Sequence, residues 1–141
     1  MRLATTAVAD WNDIKVVPQF IPQLNQQDRI IEALGSVNRI LRVHKETLSR
    51  YYKYLKEHLC LPFLARFPKP ATFQEEDEFR CTVLEILDPA KHLGDGFDGI
   101  FCNIHKGIYE INLPLIDLYL PEDSPNSQFI EDYWYWFCNC R

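Results

Sequence analysis

A glycine-rich segment with two aspartates is the part of the sequence best suited to hold a metal ion. It reads Gly94-Asp95-Gly96-Phe97-Asp98-Gly99-Ile100. Glycines permit turns that bring backbone carbonyls together. Asp95 and Asp98 add carboxylate oxygens, the hard ligands that calcium takes in sets of about six to eight. The segment matches most of one calcium-binding nonapeptide repeat, a motif that works by stacking many copies. The alternative is a glycine-rich loop between two strands that binds no metal.

A second acidic group lies further towards the N-terminus, in the run from Glu75 to Glu78. Four consecutive carboxylates repel one another, and a divalent cation would relieve that repulsion, so Asp77 is a candidate ligand. A solvated linker relieves the repulsion equally well. The Asp-x-Asp-x-Asp-Gly spacing of an EF-hand is absent from the sequence.

A third acidic group surrounds the last predicted helix. Glu122 and Asp123 are explained by the positive end of the helix dipole. Asp132 lies beside large aromatic residues and needs a partner, so it is a candidate metal ligand together with its neighbour Glu131.

Cysteine chemistry gives two weaker possibilities. Zinc could lie between Cys138, Cys140, Cys102 and His105, but the Cys-x-Cys spacing is not the usual Cys-x-x-Cys. A catalytic cysteine would need a histidine base and an oxyanion hole, and no segment has the composition of a nucleophile turn. We therefore expect a protein that is not an enzyme.

Composition indicates a small acidic protein. A chain of 141 residues with 47% hydrophobic side chains can build one core. Its 20 acidic and 15 basic side chains favour cations as partners over nucleic acid. The sequence shows no signal peptide and no apolar stretch long enough to span a membrane. Five cysteines, an odd number, suggest free thiols, so we expect a cytoplasmic protein.

Helical periodicity begins after an N-terminal arm. Residues 1–24 contain prolines and no sustained period, so they predict an extended arm, followed by one domain over residues 25–141. A first helix is capped by Asn25, and its apolar spacing continues to Leu41, although Gly35-Ser36 could kink or split it.

Two more helices follow from the pattern. One runs from about His44 to Leu59, before Pro62 forbids its continuation. The other is predicted to have Ser124 as its cap and Pro125 at its first position, and it carries an aromatic tail that must pack on an apolar surface.

The middle of the chain has the short apolar runs of strands, and Gly107 suits a tight hairpin turn after Lys106. The candidate strands are Phe63 to Phe67, Phe79 to Leu87, Ile100 to His105, Ile108 to Leu113 and Ile116 to Leu120. The predicted class is α+β, with a small antiparallel sheet or partly open barrel of about five strands. Two N-terminal helices and one aromatic C-terminal helix flank this sheet.

The order of these elements resembles a known family. The resemblance covers most of the chain after residue 50. It rests on Tyr-Tyr-Lys-Tyr-Leu-Lys-Glu-His-Leu at 51–59, Leu61-Pro62-Phe63, a strand pair, Leu113-Pro114-Leu115, and Ile-Glu-Asp-Tyr-Trp-Tyr-Trp at 130–136. This pattern is similar to the small cyanobacterial calcium-binding proteins of the CcbP type.

The resemblance implies calcium (Ca²⁺) binding, as a buffer or sensor, through surface carboxylates. Asp132 corresponds to the family position before the aromatic pair, and Glu57 to the acidic end of the family's helix. The complete set of candidate ligands is Asp95, Asp98, Asp132, Glu131, Glu57 and Asp77. The alternative is a module without a functional metal site that binds a protein partner through its arm or aromatic end.

Overall fold

The computed structural model describes residues 25–67, 80–92 and 98–141, so the predicted arm lies outside the described residues. The described chain has three α-helices and one four-stranded antiparallel sheet, which confirms the predicted α+β class. The helices are α1 (Gln26–Leu34), α2 (Lys45–His58) and α3 (Ser127–Asn139). The strands are β1 (Phe63–Arg66), β2 (Arg80–Ile86), β3 (Phe101–Lys106) and β4 (Tyr109–Pro114). None of the described helices is long and apolar enough to cross a membrane.

Helix α1 begins and ends with standard capping contacts. The Asn25 side chain accepts a hydrogen bond from the Asp28 backbone N–H at 2.9 Å, as the sequence predicts. Gly35 ends the helix in the left-handed conformation at φ +68°. The apolar spacing that continues to Leu41 forms no helix, because the chain leaves the helical path at Gly35, and Val37 is exposed.

Helix α2 follows the predicted bounds closely. The His44 backbone N–H donates to the Thr47 hydroxyl at 2.9 Å, a contact that caps the N-terminus of the helix. Leu48, Tyr51 and Leu55 form the buried stripe, at the spacing expected for one helix face.

The sheet has the strand order β1-β2-β3-β4, each strand antiparallel to the next. Gly107, at φ +62°, makes the predicted turn between β3 and β4. In the segment predicted as a fifth strand, Leu115–Asp117 form a 3₁₀ turn, and beyond it Tyr119 makes a single antiparallel bridge to Arg66. Among the described strands β1 and β4 are the two ends of the order, so the sheet is open and not a barrel.

Helix α3 starts later than predicted, at Ser127 instead of after Ser124. Asn126 takes the cap position, but its buried amide is used elsewhere. It accepts from the Cys60 N–H at 2.8 Å and donates to the Cys60 carbonyl at 3.1 Å. The amide therefore ties the start of α3 to the chain just after α2.

One core joins the three helices to one face of the sheet. Tyr133, Trp136 and Phe137 of α3 are buried in it, so three rings of the aromatic tail pack as predicted, whereas Trp134 and Tyr135 are exposed. The rings of Tyr51 and Trp136 stack with centroids 4.9 Å apart. The Trp136 indole N–H donates to the Leu41 carbonyl at 2.8 Å, so this large ring has no unsatisfied polar atom.

Candidate metal centre

Three segments meet at one end of the sheet, where β2 ends, β3 begins and β4 ends. The Leu115 backbone N–H donates to the Ile100 carbonyl at 2.8 Å, just beyond the pairing of Phe101 with Pro114. The antiparallel pairing thus continues past both strands. Asp98 lies two residues before Ile100, and Asp117 is the last residue of the 3₁₀ turn Leu115–Asp117 that begins at this contact.

Asp98 and Asp117 form a pair of like charges at this end of the sheet. Both are exposed at the surface. Partial burial raises the pKa of Asp117 above its usual value, and the negative charge of Asp98 raises it further. Within the described chain, no lysine or arginine pairs with either carboxylate. A divalent cation between them would remove their mutual repulsion.

The backbone next to Asp98 is held by α3. Gly99 adopts φ +71°, and a side chain there would collide with the Tyr133 hydroxyl and the Phe137 ring, whose Cε1 would lie 2.7 Å from an added Cβ. The Tyr133 hydroxyl accepts a hydrogen bond from the Ile100 N–H at 2.8 Å. Gly99 and Ile100, the end of the predicted glycine-rich segment, are therefore held against α3, and Asp98 lies next to them at the surface.

Asp132 lies on a different side of α3 and is directed towards α1. Its Oδ2 accepts from Arg29 Nε at 2.7 Å. Its Oδ1 accepts from Arg29 Nη2 at 3.2 Å and from Gln26 Nε2 at 3.1 Å. This carboxylate raises the pKa of the Arg29 guanidinium. The partner that the sequence argument required for Asp132 is thus an arginine of α1.

Comparison with known proteins identifies the family. The profile of the CcbP family, described as calcium binding, matches residues 41–137, which is most of the 141-residue chain. The chain belongs to the CcbP calcium-binding family. The matched region contains α2, the sheet and Asp132, whereas α1, with Arg29, precedes it.

A solved CcbP structure has the same fold. The crystal structure of CcbP from Anabaena superimposes with a TM-score of 0.55 at 17% sequence identity, covering 82% of this chain and 92% of that protein. No curated protein matches this chain. The resemblance noted from the sequence order is therefore confirmed at the level of family and fold, and calcium is the ion of the family.

The other predicted CcbP ligands that are described, Glu57 and Glu131, lie on different helices. Glu57 on α2 and Glu131 on α3 are exposed. Glu131 lines a groove together with Asp117. Asp95 and Asp77 lie outside the described residues. Among the residues that are described, no three His, Cys, Asp or Glu side chains come close enough to hold an ion together. The roles of Asp95, Asp77, Glu57, Glu131 and Asp132 as ligands stay predictions.

The zinc alternative is not supported by the geometry. Its four residues are all described, yet they form no metal-binding group. Cys102 is fully buried, its pKa is raised to about 12 by burial, and its thiol donates to the Leu113 carbonyl at 3.5 Å. A sulfur held protonated in the core is a poor zinc ligand.

The donor chemistry of the Asp98–Asp117 pair fits calcium. Both groups supply hard carboxylate oxygens at an exposed position, and they have a combined negative charge. Asp117 was absent from the sequence-based set of ligands. The nearest signal in the sequence is the Leu113-Pro114-Leu115 motif, which ends two residues before Asp117.

Proposed function

We propose that this CcbP-family chain binds calcium at Asp98 and Asp117, at the end of the sheet. The single observation that supports this position is the closeness of two carboxylates with no lysine or arginine of the described chain paired to either. Partial burial raises the pKa of Asp117, and Asp98 is close enough for its charge to raise it further. Two aspartates supply only part of the shell of about six to eight oxygens, so carbonyl groups or water would complete it. A site with few converging charges suits a buffer or a sensor of moderate affinity.

Calorimetric titration of chelator-stripped protein tests the position. We expect D98N and D117N each to weaken calcium binding about tenfold or more, since each loses a charged ligand, a change of about 1.4 kcal/mol. D123N is the matched control, because Asp123 is an exposed aspartate outside the pair. If both D98N and D117N bind calcium with wild-type affinity, the calcium site does not include this pair. If titration of the wild type with calcium gives no heat of binding, the proposal that this chain binds calcium is wrong.

A second measurement separates calcium binding from assembly with a partner. A ligand that binds only the folded state raises the melting temperature with the logarithm of its concentration. A melting temperature that does not change with calcium but depends on protein concentration would favour the alternative of an interaction module.

We further propose that the protein acts in the cytoplasm and has no catalytic activity. Support for the compartment comes from the five cysteines, all of which are free thiols. Support for the absence of catalysis comes from the thiols of Cys81 and Cys102, whose pKa values are raised by burial, the opposite of what a nucleophile needs. A burst of labelling at either cysteine by a thiol reagent at neutral pH would contradict this view.

A further inference from the structure

A groove of about 680 Å³ lies between α3 and the segment that follows β4. This volume is within the range of sites that accept small molecules or peptide side chains, roughly 300–1,000 Å³. Most of its lining is apolar. The apolar lining residues are Phe67, Ile116, Leu118, Leu120, Ile130 and Trp134.

The charge of the groove has one sign. Asp117 and Glu131 are the only charged side chains among its described lining residues, and both are acidic. An apolar surface that carries two acidic side chains is complementary to an apolar segment that carries lysine or arginine. The net charge of -5 on the chain disfavours a second copy as the occupant.

Trp134 makes the groove suitable for a peptide. Its ring lines the groove and is 51% exposed, unlike Trp136 on the same helix, which is fully buried. Tryptophan is strongly enriched among the residues that dominate protein interfaces, because one rigid ring buries a large area. The exposed ring therefore offers an anchor for an apolar side chain of a partner.

We propose that this groove docks an apolar, lysine- or arginine-bearing segment of a partner protein, and that calcium opposes the docking. The opposition rests on the proposed calcium site, because Asp117 belongs both to the groove and to the pair with Asp98. Calcium on Asp117 removes one of the two negative charges that attract the segment. Such coupling is reciprocal, so the docked segment lowers calcium affinity by the same factor.

The test uses a short, acetylated and amidated peptide of alternating leucine and lysine, labelled for fluorescence anisotropy. Its control replaces every lysine with glutamate. In chelator, we expect the lysine peptide to bind with a Kd below about 1 mM and the glutamate peptide to show no binding. Saturating calcium lowers the affinity for the lysine peptide about two- to five-fold, because it removes the contribution of one exposed charge pair.

Four variants measured in chelator locate the binding. We expect W134A to lower the affinity for the lysine peptide at least about fivefold. W134F should bind it with an affinity near that of the wild type, since an aromatic ring is retained. E131Q weakens it about two- to five-fold. E122Q, which changes an exposed glutamate outside the groove, leaves it unchanged. Melting curves of all four variants confirm that the proteins are folded.

Failure to bind the lysine peptide, equal binding of the glutamate peptide, or unchanged binding by folded W134A would overturn the docking site. Equal affinity with and without calcium, in protein that binds calcium by calorimetry, would overturn the competition. Protein that takes up no calcium but binds the lysine peptide in chelator would contradict the calcium site and support the docking groove. The two proposals therefore fail by different readouts.

Discussion

The contact between Asp132 and Arg29 gives the sharpest test of the structure, through the substitution Asp132→Asn. The side chain of Asp132 is 6% exposed, and that of Arg29 is 23% exposed. Asparagine has nearly the same shape but no charge, and one of its two oxygen positions becomes an N–H₂ group that cannot accept. The variant leaves the arginine charge half-buried between α1 and α3.

The cost follows from the contacts that are lost. Removing one partner of a fully buried ion pair costs about 3–5 kcal/mol. Hydrogen bonds to charged groups contribute about 1.5–3 kcal/mol each. Water reaches part of Arg29, which lowers the cost, so we expect a loss of about 2–3 kcal/mol in the free energy of unfolding. For a chain of this size, that corresponds to a melting temperature lower by roughly 6–15 °C.

Denaturant unfolding of D132N, in chelator, measures this loss. The neighbouring variant E131Q is the control, because Glu131 is exposed and a surface change should stay within about 0.5 kcal/mol. A loss below about 1 kcal/mol in D132N would refute the role assigned to this ion pair. Calorimetry of the same variant decides a second question: folded D132N should bind calcium as the wild type does, whereas a large loss of affinity would make Asp132 a ligand.

Three further predictions concern the end of the sheet. Gly99→Ala should cost about 2–4 kcal/mol, because its Cβ collides with α3 and φ is positive, whereas Gly107→Ala, with open space around it, should cost only about 1 kcal/mol by thermal unfolding. Tyr133→Phe leaves the buried Ile100 N–H without its acceptor and should cost about 1–3 kcal/mol in denaturant unfolding. Calcium affinity should fall as pH drops through the raised pKa of Asp117, because protons then compete for that carboxylate; calorimetry of D117N across the same pH range should show a flatter profile.

Much of the fold could be predicted because its signals are local. The stripe of Leu48, Tyr51 and Leu55 predicts α2, and Gly107 predicts the hairpin. The start of α3 could not be predicted in the same way. Ser124 and Pro125 form a good local start, but the Asn126 amide bonds to Cys60 across the fold, and the helix begins after it. A tertiary contact here overrides a local preference.

The candidate site was predictable in part for the same reason. Asp98 belongs to a segment whose glycines are visible in the sequence. Asp117 has no glycine-rich segment around it, and only the folded chain, through the 3₁₀ turn after β4, brings it near Asp98. The partner of Asp132 is more distant still: Arg29 is separated from it by 103 residues, and no linear spacing relates the two. Contacts made by folding leave no periodic pattern in the chain.

The two kinds of aspartate in this structure explain where an external cation is needed. Asp132 is buried, and the fold supplies its counter-charge through Arg29 and a further donor through Gln26. Without them its burial would cost several kcal/mol. Asp98 and Asp117 are exposed, so water can solvate each of them, and the described part of the fold provides no cation between them. Their remaining repulsion is small enough for the apo protein to tolerate. A calcium ion between the two carboxylates would relieve this repulsion, and for that reason we place the proposed site of this CcbP-family chain at the exposed pair.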